Sequence, residues 1–257
     1  MRDLFCKPDT VEPCGVFTVG HWVLLAVTVC LVSGGLWLSR RMEERQVRRT
    51  VWIFTAALWV LEVAKIAFVL LVTGSRSPND FVPLYYCSLM LYAGAFSALG
   101  RGWLRRVGDV FIATGGIVGG VCFLLVPNTS LPRYPALHFI SLHSFLLHGV
   151  MVYLGLLMLW KLYRPQMRDL KLCASLVSVT CGVAYAFNLI WDRLHPMGPE
   201  ANLMFLSHDF PGTPLSVLYR LAGVTFPLWM WLGQAFLPFL AVYGGCWVFE
   251  VVKKRKN

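Results

Sequence analysis

FVPLYYCSLMLY, residues 81–92, opens the third of seven apolar runs, and whether that run enters a membrane decides the fold. Pro83 suits the first turn of a helix, where its missing N–H costs nothing. Cys87 follows four residues on, flanked by Tyr85, Tyr86 and Ser88. A thiol one turn inside a helix start feels the positive end of the helix dipole, which favours thiolate. Local sequence therefore allows two readings of Cys87: a nucleophile, or the small buried hydrophobe that a free cysteine usually is.

Composition narrows the class. The chain has 257 residues, 57% hydrophobic and 14% charged, with a mean hydropathy of +0.63. Soluble domains carry about a quarter charged residues. An all-α, polytopic membrane protein is expected, with no separate soluble domain, because every polar gap between apolar runs is short. A spanning helix needs about 20 mostly apolar residues. The runs are 17–38, 51–72, 83–99, 107–126, 138–160, 170–190 and 217–249. The third is short. The last is overlong and contains Pro227 and Pro238, so a kink or an interfacial start is expected. Residues 1–257 are read as one seven-helix domain. The N-terminus lacks a basic region followed by a cleavable apolar run, so no signal peptide is expected.

The loops then set the orientation. Sixteen of the 23 Lys and Arg residues fall in the 39–50, 100–106 and 161–171 loops and the C-terminal tail. Six lie on the other side, in the N-terminal tail, the alternate gaps and the start of the last run, and Lys65 lies within a span. This asymmetry predicts a cytoplasmic C-terminus, an outside N-terminus and an odd number of spans. The net charge of +10 is thereby a matter of orientation rather than of nucleic-acid binding. The short basic loops and compact length fit a bacterial cytoplasmic membrane. The eight cysteines are scattered without a CxxC pair, which leaves a zinc ribbon without support. No GxSxG, phosphate-cradling glycine loop or HExxH occurs. Gly115, Gly116, Gly119 and Gly120 form a small-residue face that suits close helix packing.

Polar groups inside spans are costly and default to functional candidates. Glu62 and Lys65 lie mid-span at i, i+3, where they share a face and neutralise each other. They brace helices or bind substrate. His138, His143 and His148 are spaced five apart in the fifth run. Neighbours are then about 140° apart around the helix, so the three cannot face one site. His148 shares a face with Ser144 and Ser141, and His143 is expected to point elsewhere. A backbone carbonyl satisfying each imidazole is the plainer alternative. With the predicted topology Cys87, Asn128, Asn188 and the 191–215 loop, which holds Asn202, all fall in the outer half. His148 lies about 15 Å in from that side.

These landmarks carry a resemblance. Glu62 with Lys65, PLYYCS at 83–88, LLVPN at 124–128, LLHG at 146–149, Arg164–Pro165, Asn188, NLMFL at 202–206 and PLW at 227–229 keep one order and spacing. The chain resembles the YwaF-type bacterial integral membrane proteins, whose animal relative is transmembrane protein 164, a lipid acyltransferase. The family pattern often has a histidine beside the cysteine; here Tyr85 and Tyr86 stand there. The resemblance implies a catalytic pair, Cys87 and His148. Cys87 would attack a phospholipid ester with His148 as general base, and a lysophospholipid hydroxyl would take the acyl group from the thioester. Ser88, Ser144, Asn188 or Asn202 would hold the imidazole or the oxyanion. Phe81, Tyr85, Tyr86 and Tyr134 suit the headgroup level. No cofactor is implied, and the partners are membrane lipids. Two other readings stand beside this one. One is a non-enzymatic carrier or lipid- or solute-binding protein coupled through Glu62–Lys65. The other is a metal-dependent lipid hydrolase using ligands from His148, His195, His208, Asp192 and Asp209.

Overall fold

Hydrocarbon offers no hydrogen-bond partner to a peptide group, so apolar runs of this length satisfy their backbone internally, as helices. The computed structural model describes residues 2–8 and 10–256, and every regular element among them is helical. The elements are α1 (Val19–Leu38), α2 (Glu44–Phe68), α3 (Pro78–Phe81), α4 (Leu89–Leu99), α5 (Gly102–Phe111), α6 (Ile117–Leu125), α7 (Phe139–Lys161), α8 (Leu170–Leu194), α9 (Pro214–Ala222) and α10 (Phe226–Lys256). A π-turn, Val69–Thr73, extends α2, and another, Ile112–Gly116, joins α5 to α6 without a break. Six of the resulting helices are long and apolar enough to cross a membrane. Their outward faces are apolar as well. Trp22, Val23, Val27 and Leu31 on α1 and Val60 and Val63 on α2 are exposed, as a lipid-facing surface requires. The central helix is α7, buried along most of its length.

The third run departs from expectation. Its helix covers only 11 residues, Leu89–Leu99, about 16 Å and too short to span alone. Pro83 does not begin it. The residue before a proline is pushed out of the α region, and Val82 is extended at φ −87° and ψ 115°, ending α3. Pro78, not Pro83, occupies a helix first turn. Cys87 therefore lies in the non-helical stretch Val82–Ser88 rather than one turn inside a helix.

Side-chain contacts gather the basic loops at one end of the bundle. Lys161 Nζ donates to Arg40 O at 2.6 Å. Arg106 pairs with both oxygens of buried Asp169, at 3.3 and 2.8 Å, and Tyr163 Oη donates to the same carboxylate at 3.1 Å. Arg48 reaches Asp109 at 3.5 Å. At the opposite end Arg133 pairs with Asp80 at 3.1 Å, and Asn79 donates to Glu200 O at 2.8 Å.

The glycine face packs as expected. A Cβ on Gly120 would stand 2.9 Å from His148 O and 2.7 Å from Val152 on α7, while Gly115 and Gly119 make room for the ring of Tyr86. The overlong last run resolves into α9, a turn at Gly223 (φ +52°) and α10, with Pro227 in the first turn of α10. A close backbone-to-backbone approach lies elsewhere, where Gly108 of α5 meets the backbone of Ala93 and Ser97 on α4. Gly108→Ala is expected to lower stability by about 1–3 kcal/mol. Thermal unfolding in detergent checks this, with Gly182→Ala, whose Cβ would meet nothing within 4 Å, as the neutral control.

Candidate functional site

The depth of each polar group follows from the register between helices. Helices α2 and α4 run antiparallel. Thr55 fills the space beside Gly94, and Trp59 Nε1 donates to Leu91 O at 3.2 Å. One turn further along α2, and correspondingly earlier before α4, Glu62 comes level with Cys87 and Ser88. The same count holds against α7. Phe54 packs on Tyr153 with ring centroids 5.4 Å apart, and two turns on Glu62 Oε2 lies 3.5 Å from His143 Nε2. Cys87, Glu62 and His143 thus share one level, brought in by three elements.

The charges there are tightly grouped. Lys65 Nζ donates to Glu62 Oε1 at 2.6 Å, so the carboxylate meets the lysine with one oxygen and the imidazole with the other. Glu62 and His143 are buried, with side chains 3% and 4% exposed, and Lys65 is 19% exposed. Lys65 and Glu62 are the charges whose field reaches the Cys87 sulfur. Cys87 as a residue is half-buried. The backbone N–H groups of Cys87 and Ser88 are the sulfur's neighbours in the chain. Those groups stand at the start of α4, whose carbonyls take donors further along: Met90 N donates to Cys87 O and Leu91 N to Ser88 O. The positive helix end therefore still faces the thiol, from outside the helix instead of within it.

His148 stands apart from this group. It is five residues further along α7, about 7.5 Å nearer the basic end. Its Nδ1 donates to Ser144 O at 2.6 Å, and its ring stacks on Phe123 of α6 at 3.7 Å. Among the described residues no hydrogen bond joins it to Cys87. His143 faces Glu62, in a different direction from His148. The plainer reading holds for His148, whose imidazole is satisfied by a backbone carbonyl. His138 caps α7, accepting from Ile140 N at 3.1 Å, and burial pulls its proton affinity below the ordinary histidine value.

The remaining expected site residues divide. Ser88 is buried beside Cys87, and Ser144 is half-buried on α7 between the directions of His143 and His148. Tyr86 points into the glycine face, where its hydroxyl is buried with no hydrogen-bond partner among the described residues. Asn128 lies in the turn after α6, its N–H donating to Val126 O at 2.8 Å. Asn188 and Asn202 hold a loop, not an imidazole. Asn188 brackets Leu203 through N–H and C=O, and Asn202 Oδ1 accepts from Ser207 N and His208 N. Among the described residues no three His, Cys, Asp or Glu gather as metal ligands, and His195 stacks on Trp191.

Residues 16–244 match the sequence profile of the TMEM164 family. The chain belongs to the TMEM164 family. The match spans Glu62, Lys65, Cys87, His143 and His148, so the whole cluster lies in the part that defines the family. No curated protein and no solved structure matches the chain.

A buried carboxylate bracketed by a lysine and an imidazole makes a clear energetic prediction. Removing one partner of a buried ion pair leaves an uncompensated charge. Glu62→Ala is expected to destabilise this TMEM164-family protein by about 3–5 kcal/mol. The neutral double replacement Glu62→Gln with Lys65→Met is expected to recover most of that loss in the same detergent unfolding measurement.

Proposed function

We propose that this TMEM164-family protein is a membrane-embedded lipid acyltransferase in which Cys87 carries the acyl group. Its membrane topology is seven crossings, six of them helical, with the third non-helical through Val82–Ser88 before α4. The basic end faces the cytoplasm. Glu62 lies 18 residues from the start of α2, about 27 Å along a helix of spanning length, so the thiol sits in the half away from the basic end.

The observation that carries the reading is the shared level of Cys87, Glu62 and His143. It favours His143 over His148 as the base. The thiol proton passes from Sγ to the imidazole of His143, whose other nitrogen faces Glu62. The thiolate attacks the ester carbonyl carbon of a phospholipid, and the carbonyl oxygen becomes an oxyanion beside the N–H groups of Cys87 and Ser88. Collapse breaks the ester C–O bond. The departing lysophospholipid oxygen takes the proton from His143 and leaves a thioester on Cys87. A second lysophospholipid hydroxyl then gives its proton to His143 and attacks the thioester, and the C–S bond breaks to restore the thiol. Lys65 balances Glu62, so the site is neutral before the reaction, which suits a buried position.

The test is acyl exchange between labelled phospholipid and lysophospholipid with purified protein in vesicles. Cys87→Ser is expected to abolish exchange. His143→Ala is expected to lower it by about 10²–10⁴-fold, the usual contribution of a general base, and His148→Ala far less. Full exchange by Cys87→Ser would end the mechanism, and the reverse order of the two histidines would return the base to His148. The buried Glu62–Lys65 pair also supports a second reading, a carrier. Solute flux that depends on Glu62 and ignores Cys87 would favour it.

A further inference from the structure

The chain between α8 and α9 enters the bundle instead of looping over it. Ala201, Leu203 and Met204 are 0% exposed, and Leu206 is 2% exposed, although they belong to a connection. Met204 and Phe205 adopt left-handed backbone, φ +56° and +52°, which bulky side chains avoid unless surrounding contacts impose it. Those contacts are present. Asn188 of α8 brackets Leu203, and Gln234 of α10 donates to Met204 O at 3.0 Å.

This inserted segment lies directly over the stretch that bears Cys87. The ring of Phe205 meets that of Tyr85 at 5.1 Å, two residues before the thiol. Asn79, just before that stretch, donates to Glu200 O at 2.8 Å and accepts from Asn202 N at 2.7 Å. The outer ends of the segment are tied by charge. Asp192 at the end of α8 takes His208 Nε2 at 2.9 Å and Ala201 N at 2.7 Å, and His208 Nδ1 lies 3.4 Å from Glu200.

We propose that residues 199–208 are a water-excluding plug over the Cys87 site, held by the Asp192–His208 latch, and that this plug makes a lipid hydroxyl rather than water the acyl acceptor. The second half rests on the acyl-transfer reading. A thioester on Cys87 reacts with either oxygen nucleophile by the same balance. The C–S bond breaks, a C–O bond forms and the proton returns to sulfur through His143. A hydroxyl yields a phospholipid, and water yields a free fatty acid. Closing the aqueous end to water selects the first outcome.

The experiment follows site-resolved labelling of Cys87 by a membrane-impermeant maleimide, with the full chain in vesicles. Wild type is expected to label slowly. His208→Ala and Asp192→Asn each remove a charge-assisted hydrogen bond and are expected to speed labelling by about tenfold. Asn79→Ala, which loosens the plug from below without touching the latch, does the same if a latch variant fails to fold. Unchanged labelling in the folded variants overturns the plug. The ratio of fatty-acid release to acyl transfer is measured in parallel and is expected to rise in step with labelling. Faster labelling with an unmoved ratio overturns the acceptor selection. Wild type without Cys87-dependent transfer removes the acyl-transfer reading and with it the acceptor selection, while labelling still decides the plug.

Discussion

A single carboxylate holds the middle of this bundle together. Glu62 is surrounded by apolar helices, where an unpaired charge would be severely penalised. Its two oxygens meet Lys65 from its own helix and His143 from α7. Both partners must therefore stay at one level, which fixes how α2 slides against α7. The packing of Thr55 on Gly94 and Trp59 on Leu91 fixes α2 against α4. The three elements have little freedom left, and the thiol at the start of α4 arrives beside the charges as a consequence.

That arrival depends on a helix that does not form. Had Pro83 begun a continuous helix, Cys87 would have stood one turn inside it, with neighbouring backbone donors turning toward helical carbonyls. The extended Val82 ends α3, and the next regular helix begins only at Leu89. Cys87 and Ser88 instead precede Leu89, at the N-terminal end of α4. Broken backbone at membrane depth is tolerated where protein covers it. Tyr86 in the glycine face and Phe205 over Tyr85 supply that cover here.

The two ends of the bundle are built on different principles. The basic end is closed by arginine–carboxylate pairs, with Asp169 and Asp109 buried beneath Arg106 and Arg48. The opposite end is closed by backbone insertion and by amide side chains, with Asn79, Asn188 and Asn202 each bonding main-chain groups. Asparagine carries a donor and an acceptor on one short side chain, so it can satisfy irregular backbone that no helix partner reaches.

Much of this was legible in the chain alone. Apolar run lengths determined the helices and the membrane class, because a 1.5 Å rise per residue ties length to thickness. Loop arginines marked the end at which Arg40, Lys161, Arg106 and Asp169 gather. The i, i+3 spacing of Glu62 and Lys65 determined their pairing, since a single helix carries that geometry within itself. The end of α3 had a signal too, in the residue preceding Pro83. Only the tertiary structure decided which histidine stands level with Cys87, and that Asn188 and Asn202 serve a loop. Periodicity states which side of a helix a residue faces. Its height against a neighbour is set by interlocking side chains such as Trp59 and Thr55, and no stretch of one helix contains that information.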